Sequence, residues 1–499
     1  MKTLTALSTI AACLLSVSAC ADNKATQAPN IIYILADDLG YSELGAYGQT
    51  KIKTPNIDNL AKEGIQFTQH YSGSAVCAPS RSTFIEGKHS GNAHVRGNTG
   101  DGNKGRMRGN HPLPDTRTIA DMFKEQGYAT AAIGKWGLGG MVGTGHPNDH
   151  GFDLFYGYLD QRHAHNYYPT YLVKNREFVE LDNPEMIKKG NVKSDAVNDP
   201  KSYAAFKGKE FSGDLMADEA INFINSNAKA DKPFFLYFPT PIPHAALQLP
   251  EQALAKYDGA FDETPYIGNK GYFPHQTPRA AYAGMVTLLD DYVGQMLAAL
   301  KKNGIEDNTL IIFTSDNGPT FNGGSDSEFF ESAKPFRGVK MDLYEGGIRA
   351  PFIAYWKGKI LPGQSSDLIS AQYDMMATFA DLIGVKANED TDGISIAPTL
   401  LGKGEQQQHE YLLWEYPEKG GQQAIRMGKW KGIRTNLKQD PNAPIQLFDL
   451  STDISENNDV ASKHPDVVAK IKAALTNRSP ASLERWDFDG YKVKNDASE

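Results

Sequence analysis

Asn30-Ile31-Ile32-Tyr33-Ile34-Leu35-Ala36 is an uncharged stretch of strand length that stops abruptly on Asp37-Asp38. After Asn30 it is apolar at every position, with no alternation. A strand with one wet face alternates, so an unbroken run predicts a strand covered on both faces, as in a parallel sheet. Comparable runs recur at 129–133, 234–238, 310–313 and 352–356. Helical patterns separate them at 55–63, 118–126, 214–225 and 279–303. Strand and helix in alternation predict a large α/β domain.

Working outward, 373–383 reads as one more helix. From about Gln423 the texture becomes alternating and turn-rich, through Ala424-Ile425-Arg426-Met427-Gly428-Lys429-Trp430-Lys431-Gly432-Ile433-Arg434, which is hairpin-like. Leu447-Phe448-Asp449-Leu450 and a last helix at 465–475 complete a smaller C-terminal α+β subdomain. The expected division is 30–385 for the main domain and 386–499 for the subdomain. The chain has 499 residues, 51 Lys+Arg against 60 Asp+Glu, and 22% charged and 40% hydrophobic residues. That is the balance of a soluble globular protein. A net charge of −9 argues against a dedicated nucleic-acid binder, which shows a basic face.

The amino terminus carries Lys2 and then an apolar stretch too short to span a bilayer, the form of a secretory signal. Val17-Ser18-Ala19-Cys20 resembles a bacterial lipobox, which implies a signal over 1–19, a lipidated Cys20 and a polar tether over 20–29. Asp22 does not directly follow Cys20, so in a Gram-negative host the resemblance implies an outer-membrane lipoprotein, in the periplasm or at the cell surface. The membrane would then be met only through the lipid; the alternative is a plain signal and a soluble periplasmic protein. With Cys13 in the signal and Cys20 acylated, Cys77 is the only thiol of the mature chain. A lone exported thiol is a buried accident or a residue kept for its chemistry.

Polar residues fall where the strands end. Asp37-Asp38 follows the first run, Gly134-Lys135 the second, His244 lies just past 234–238, and Asp316-Asn317-Gly318 follows 310–313. Open parallel sheets bind ligands outside the carboxyl ends of their strands. Singly, Asp37-Asp38-Leu39-Gly40 and Asp316-Asn317-Gly318 read as turns. Together they offer three carboxylates and an amide oxygen, a hard set suited to Ca²⁺ or Mg²⁺ and not to zinc. Asp101-Gly102-Asn103 and 390–392 are acidic turns that no strand delivers, and read as surface loops. In Cys77-Ala78-Pro79-Ser80-Arg81, Pro79 suits the first turn of a helix with Cys77 at its mouth. The helix end and Arg81 would then favour an anion, or a thiolate-like group at position 77.

Cys77-Ala78-Pro79-Ser80-Arg81 with Gly87-Lys88 resembles the signature of type I, formylglycine-dependent sulfatases; Ile85-Glu86 departs slightly from the usual Leu-Thr. The resemblance extends in order through Asn30 to Gly40, Thr54-Pro55-Asn56-Ile57-Asp58, Gly134-Lys135-Trp136, Asp316-Asn317-Gly318, Arg337-Gly338-Val339-Lys340, Tyr344-Glu345-Gly346-Gly347-Ile348-Arg349 and the Trp430 hairpin. It implies an alkaline-phosphatase-like sandwich around a large mixed, mainly parallel sheet. A formylglycine-generating enzyme would oxidise Cys77 to Cα-formylglycine (3-oxoalanine), whose hydrate is the nucleophile. Asp37, Asp38, Asp316, Asn317 and residue 77 would hold the metal, usually Ca²⁺, with Mg²⁺ the alternative. Arg81, Lys135 and Lys340 would neutralise the sulfate ester with that metal. Asp316 would take a proton from the hydrate and His244 would act as general acid on the leaving oxygen. The sulfo-enzyme hemiacetal would then collapse to the aldehyde, expelling sulfate.

One departure is informative. Many members read Gly-Lys-Trp-His, with the histidine on the formylglycine hydroxyl, whereas this chain has Gly137. Gln161-Arg162-His163-Ala164-His165-Asn166-Tyr167-Tyr168 is the expected donor of a replacement, with His165 and Arg162 entering the site to bind substrate. Tyr156, Tyr158, Tyr167, Tyr168 and Trp136 are read as sugar-stacking groups or as core. The resemblance to carbohydrate sulfatases points to a sulfated sugar, with O4-sulfated galactose or N-acetylgalactosamine of carrageenan or chondroitin type preferred. The alternatives are a phosphodiesterase or phosphonate monoester hydrolase on the same scaffold, and a non-catalytic glycan-binding lipoprotein.

Overall fold

The computed structural model describes residues 28–186 and 191–487; the signal, Cys20 and the tether up to residue 27 lie outside the described residues. Ten strands form the main sheet. In chain order they are β1 (Asn30–Ala36), β2 (Ile65–Phe67), β3 (Ala129–Lys135), β4 (Leu154–Tyr158), β5 (Tyr171–Lys174), β6 (Glu177–Glu180), β7 (Phe234–Pro239), β8 (Thr309–Ser315), β9 (Phe352–Tyr355) and β10 (Gln364–Ser366). In space the order is β10-β2-β9-β8-β1-β7-β3-β4-β5-β6. The five central strands, β8-β1-β7-β3-β4, are parallel. β9 runs antiparallel to β8, and the β5–β6 hairpin closes the other side antiparallel to β4.

Every residue of β1 is buried. Ile32 and Ile34 face one layer with Met216 and Ile224 of helix Ser212–Lys229 and Val286 and Met296 of helix Pro278–Lys302. Ile31, Tyr33 and Leu35 face the other, with Phe84, Phe123 and Phe379. Covered on both sides, the strand has no polar face to display, which is why its sequence does not alternate. The result is an α/β/α sandwich.

The smaller sheet is antiparallel, in chain order β11 (Leu412–Tyr416), β12 (Gln422–Met427), β13 (Trp430–Thr435) and β14 (Gln446–Asp449). Helix Pro465–Ala474 packs Val467 and Ile471 on one face of it, against Leu413, Ile425 and Leu447. The other face meets the main domain through Trp414, Ile433 and Phe448 against Tyr71, Val76 and Ile348. That contact also holds a buried ion network: Lys431 bridges Glu345 at 2.8 Å and Glu456 at 3.6 Å, and Arg349 pairs with Glu345 at 2.7 Å.

The strands run slightly beyond their apolar cores. β3 takes in Gly134 and Lys135, so Lys135 is its last residue rather than the one after it. β8 reaches Ser315, and Asp316 follows at once. β4, β5 and β6 were not expected from the sequence: β4 is buried but short and interrupted by Gly157, and the half-exposed β5 and β6 carry a weaker pattern.

Candidate active site

The parallel strands end at one edge, and there the dispersed polar residues meet. Asp37-Asp38 leaves β1, Lys135 ends β3, His244 lies beyond β7, and Asp316-Asn317 leaves β8. Cys77 opens helix Cys77–Glu86, all ten residues of which are buried. One turn on, Arg81 lies on the same helix face as Cys77. Gly87 closes the helix in the left-handed conformation, φ 70°, with its N–H donating to the Thr83 carbonyl.

Cys77 carries its encoded thiol, with Sγ 3.2 Å from Asp37 Oδ1 and 3.8 Å from Asp38 Oδ1. Lys340 Nζ donates to Asp38 Oδ2 at 2.7 Å and lies 3.7 Å from Cys77 Sγ. Lys135 Nζ pairs with Asp37 Oδ2 at 2.5 Å. Arg81 donates to Asp316 Oδ2 through Nε and Nη2, at 3.2 and 2.8 Å, and to the Lys135 carbonyl through Nη1. Asp316 Oδ1 accepts from the Asp38 backbone N–H at 3.1 Å, and Asn317 Nδ2 donates to Asp38 Oδ1 at 2.7 Å. His244 Nε2 stands 3.4 Å from Asp38 Oδ2 while Nδ1 lies on the Ala245 carbonyl, which fixes the Nδ1 proton.

The charges divide the carboxylates. Burial alone would raise Asp37, but Lys135, Arg81 and Lys340 hold it well below the usual range. Burial and the neighbouring Asp37 lift Asp316 to about 7, and burial lifts Asp38 as well. The thiol departs from expectation: burial and Asp37 push Cys77 well up, so the surroundings oppose a thiolate. The helix end and Arg81 were expected to favour one, but Arg81 is spent on Asp316 and the Lys135 carbonyl. Burial and Lys340 keep His244 far below its ordinary value, hence neutral.

A metal fits this cluster. Ligand atoms of Asp37, Asp38, Cys77 and His244 all lie within 4.8 Å of one another. Asn317 Oδ1 is buried without a hydrogen-bond partner, a donor atom held ready for a cation. Oxygen ligands predominate, which suits a hard ion.

A cavity of about 210 Å³ opens above Cys77. Lys135, Lys340, His165, His244, Arg162 and Gln161 are on its walls. His165, anticipated there, stacks on His244 with ring centroids 4.5 Å apart and planes 11° apart, and Tyr272 stands edge-on to both. Arg162 lies at the exposed mouth. The aromatic residues proposed for stacking are core instead. Trp136, Tyr158 and Tyr167 are fully buried, and Tyr156 and Tyr168 nearly so. The polar tips of Trp136, Tyr158 and Tyr167 are tied inward, as when Trp136 Nε1 donates to the Gly145 carbonyl. The cavity's aromatic groups are Tyr272 and Tyr416, joined by Asn98, Arg108, Asn110, Asp160 and Glu418, none of which a motif marked. Asp101–Asn103 is a surface turn, but the chain on either side of it, at Gly100 and Arg108–Asn110, reaches the cavity.

Fold and site define an α/β sandwich with a buried cysteine at the strand edge, cations packed beside it and a carboxylate cluster that fits a divalent metal. The Sulfatase family model matches residues 29–385, and the N-sulphoglucosamine sulphohydrolase C-terminal model matches 339–481. The chain belongs to the sulfatase family, and it is a sulfuric ester hydrolase of the alkaline-phosphatase-like superfamily. It is 33% identical to an N-acetylgalactosamine-6-O-sulfatase of Bacteroides thetaiotaomicron over 90% of this chain and 93% of that protein. It is 30% identical to arylsulfatase A of Bos taurus over 92% and 89% of the two chains. Among solved structures, Ps i-CgsB in complex with k-i-k-neocarrahexaose aligns with a TM-score of 0.74 and 29% identity, over 90% of this chain and 92% of that one.

Proposed function

We propose that the protein removes sulfate from a galactose or N-acetylgalactosamine unit of a sulfated carbohydrate, using formylglycine made from Cys77 by a maturation enzyme and one Ca²⁺ ion. The observation that carries the reading is the convergence on Cys77 of two carboxylates and of Lys340, with Lys135 and Arg81 behind them. A buried thiol pushed upward by its surroundings is a poor nucleophile as it stands; a hydrated aldehyde at that position supplies a hydroxyl in its place.

Asp37, Asp38, Asp316 and Asn317 would hold the ion, whose charge would help neutralise the bound ester. Lys135 and Lys340 border the cavity and meet the anionic sulfate oxygens, while Arg81 keeps Asp316 in place. Asp316, held in place by Arg81, would take a proton from the attacking hydroxyl. His244 has its Nδ1 proton fixed on Ala245, so Nε2 of the neutral ring is an acceptor and would donate to the leaving oxygen only after taking up a proton from solvent. His165, stacked behind His244, orients that ring and the sugar together.

Carbohydrate is favoured because the N-acetylgalactosamine-6-O-sulfatase and the carrahexaose-bound structure are both named for galacto-type sugars. The sequence-level preference is O4, and the name of the first relative favours O6. Protein co-expressed with a formylglycine-generating enzyme should release sulfate from 4-O- or 6-O-sulfated galactose or N-acetylgalactosamine, whichever position is correct. Release from neither, with aryl sulfate still cleaved, overturns the sugar assignment. Faster turnover of matched aryl phosphonates than of aryl sulfates would favour the phosphonate or phosphodiester alternative.

The lipid anchor at Cys20 belongs to the same proposal. A fatty-acid label incorporated by the wild type and absent from Cys20→Ala would support it; label in neither would oppose it.

A further inference from the structure

Gly137 and Gln161 are built around each other. Gly137 has φ 78°, and a Cβ there would lie 2.9 Å from Gln161 Cγ, so any side chain at 137 would need the space Gln161 fills. Gln161 is nearly buried, and its backbone N–H donates to Asn110 Oδ1 at 2.9 Å. Its side chain has one orientation. Asn98 Oδ1 accepts from the Ala78 backbone N–H at 3.1 Å, which fixes that atom as an oxygen. The group facing it must donate, and Gln161 Nε2 does so at 2.8 Å. Oε1 is therefore turned away from Asn98, buried and without a partner.

Among the described residues, it is the one buried side-chain polar atom on the cavity wall left in that condition. The two carboxylates on the wall are taken: Asp160 by Arg108 and the backbone of Arg162 and His163, and Glu418 by the backbone of Asn98. Lys135, Lys340 and Arg162 on the same wall are donors only. A sulfate ester satisfies donors but offers Oε1 nothing. A hydroxyl or acetamido N–H on the same sugar does. The Gln161 amide is two hydrogen bonds from the backbone of Ala78, next to the nucleophile, which puts it beside the ring that carries the sulfate.

We propose that Gln161 Oε1 is a specificity site that accepts a hydrogen bond from a hydroxyl or N–H of the sulfated sugar ring, in the space opened by Gly137. It rests on the carbohydrate reading above. A buried acceptor left without its donor discriminates strongly against an analogue that lacks it.

Gln161→Met keeps the volume and removes both the acceptor and the Nε2 donor to Asn98, so the readout is the ratio of the two substrates. It should lower kcat/KM on the sugar sulfate about 5- to 100-fold more than on 4-nitrophenyl sulfate, which has no such donor. Among monodeoxy or N-deacetylated sugar sulfates, one should be poor for the wild type and no worse for Gln161→Met than its parent sugar. Equal losses on sugar and aryl sulfate would place Gln161 on the nucleophile side and overturn the proposal, as would no loss on either. If the wild type cleaves aryl sulfate but no sugar sulfate, the carbohydrate reading fails and takes this proposal with it; failure of the proposal alone shows as a sugar-active wild type whose preference Gln161→Met leaves unchanged.

Discussion

At the scale of single residues, the centre is a set of carboxylates that would repel one another, held close by the cations Arg81, Lys135 and Lys340. Lys340 touches both Asp38 and Cys77 Sγ. Lys340→Ala should lower kcat/KM on any sulfate ester about 10²- to 10³-fold, as for the loss of one preorganised charge, measured under single-turnover conditions. Ca²⁺ should raise the melting temperature of the wild type and restore activity after chelation. Asp37→Asn should abolish that thermal response, and a calcium-dependent melting shift that survives it would contradict the assigned ligands. Glu86, on the nucleophile helix, is buried with Ser82 and the His94 N–H as donors, and burial lifts it to about 7 from an ordinary 4.5. A carboxyl raised in the folded state contributes stability that is complete below about pH 4.5 and is lost as pH rises through 7. Glu86→Gln should therefore gain on the wild type between those values, by an amount on the order of 3 kcal/mol, read from denaturant midpoints across pH. A difference that stays flat with pH would contradict it. Asp37, Asp38, Lys135, Cys77, His244 and Asp316 were legible in the sequence because each stands next to a strand end or a helix start. Gln161, Asn98, Tyr416 and Glu418 were not, because loops from distant parts of the chain bring them in and no local pattern marks a residue chosen for the space it fills.

At the scale of elements, the site depends on how closely the central strands approach. Gly134 in β3 has φ 141°, and a Cβ there would lie 2.2 Å from the Pro239 carbonyl at the end of β7. Gly134→Ala should part β3 from β7, cost about 2 kcal/mol or more in stability, and move Lys135 relative to His244. Its activity loss should exceed what the fraction folded explains; a stable, fully active variant would contradict the close approach. The central strands were readable because burial on both faces removes every polar residue from their middles. The β5–β6 hairpin was hidden by half-exposure, and the tyrosines of 161–168 stayed open because they look the same whether they stack on a sugar or pack inward. Tyr158 OH donates to the Asn166 carbonyl and accepts from the Ser212 hydroxyl, and Tyr167 OH donates to the His244 carbonyl at 2.8 Å. These phenols brace the loop that presents His165 and do not face the substrate.

At the scale of the whole molecule, the C-terminal sheet is part of the site as well as a support for it. β11 ends on Tyr416, a cavity residue, and Glu418 follows on the rim. The sheet is joined to the main domain by Lys431 between Glu345 and Glu456, and Arg349 beside Glu345. Glu345 follows closely on Lys340, so the same junction steadies a cation of the catalytic centre. Lys431→Met would strand buried carboxylates and should cost about 3–5 kcal/mol, seen as a lower denaturation midpoint; an unchanged midpoint would contradict the role given to the network. The central claim is that a sulfate ester is hydrolysed on residue 77, and the most direct measurement is sulfate release from defined sulfated oligosaccharides by protein co-expressed with a formylglycine-generating enzyme, beside Cys77→Ala. The account predicts release from a galactose or N-acetylgalactosamine sulfate that disappears in Cys77→Ala. Release that persists in Cys77→Ala, or silence on every sulfate ester by protein whose residue 77 is shown by mass to be formylglycine, would contradict it.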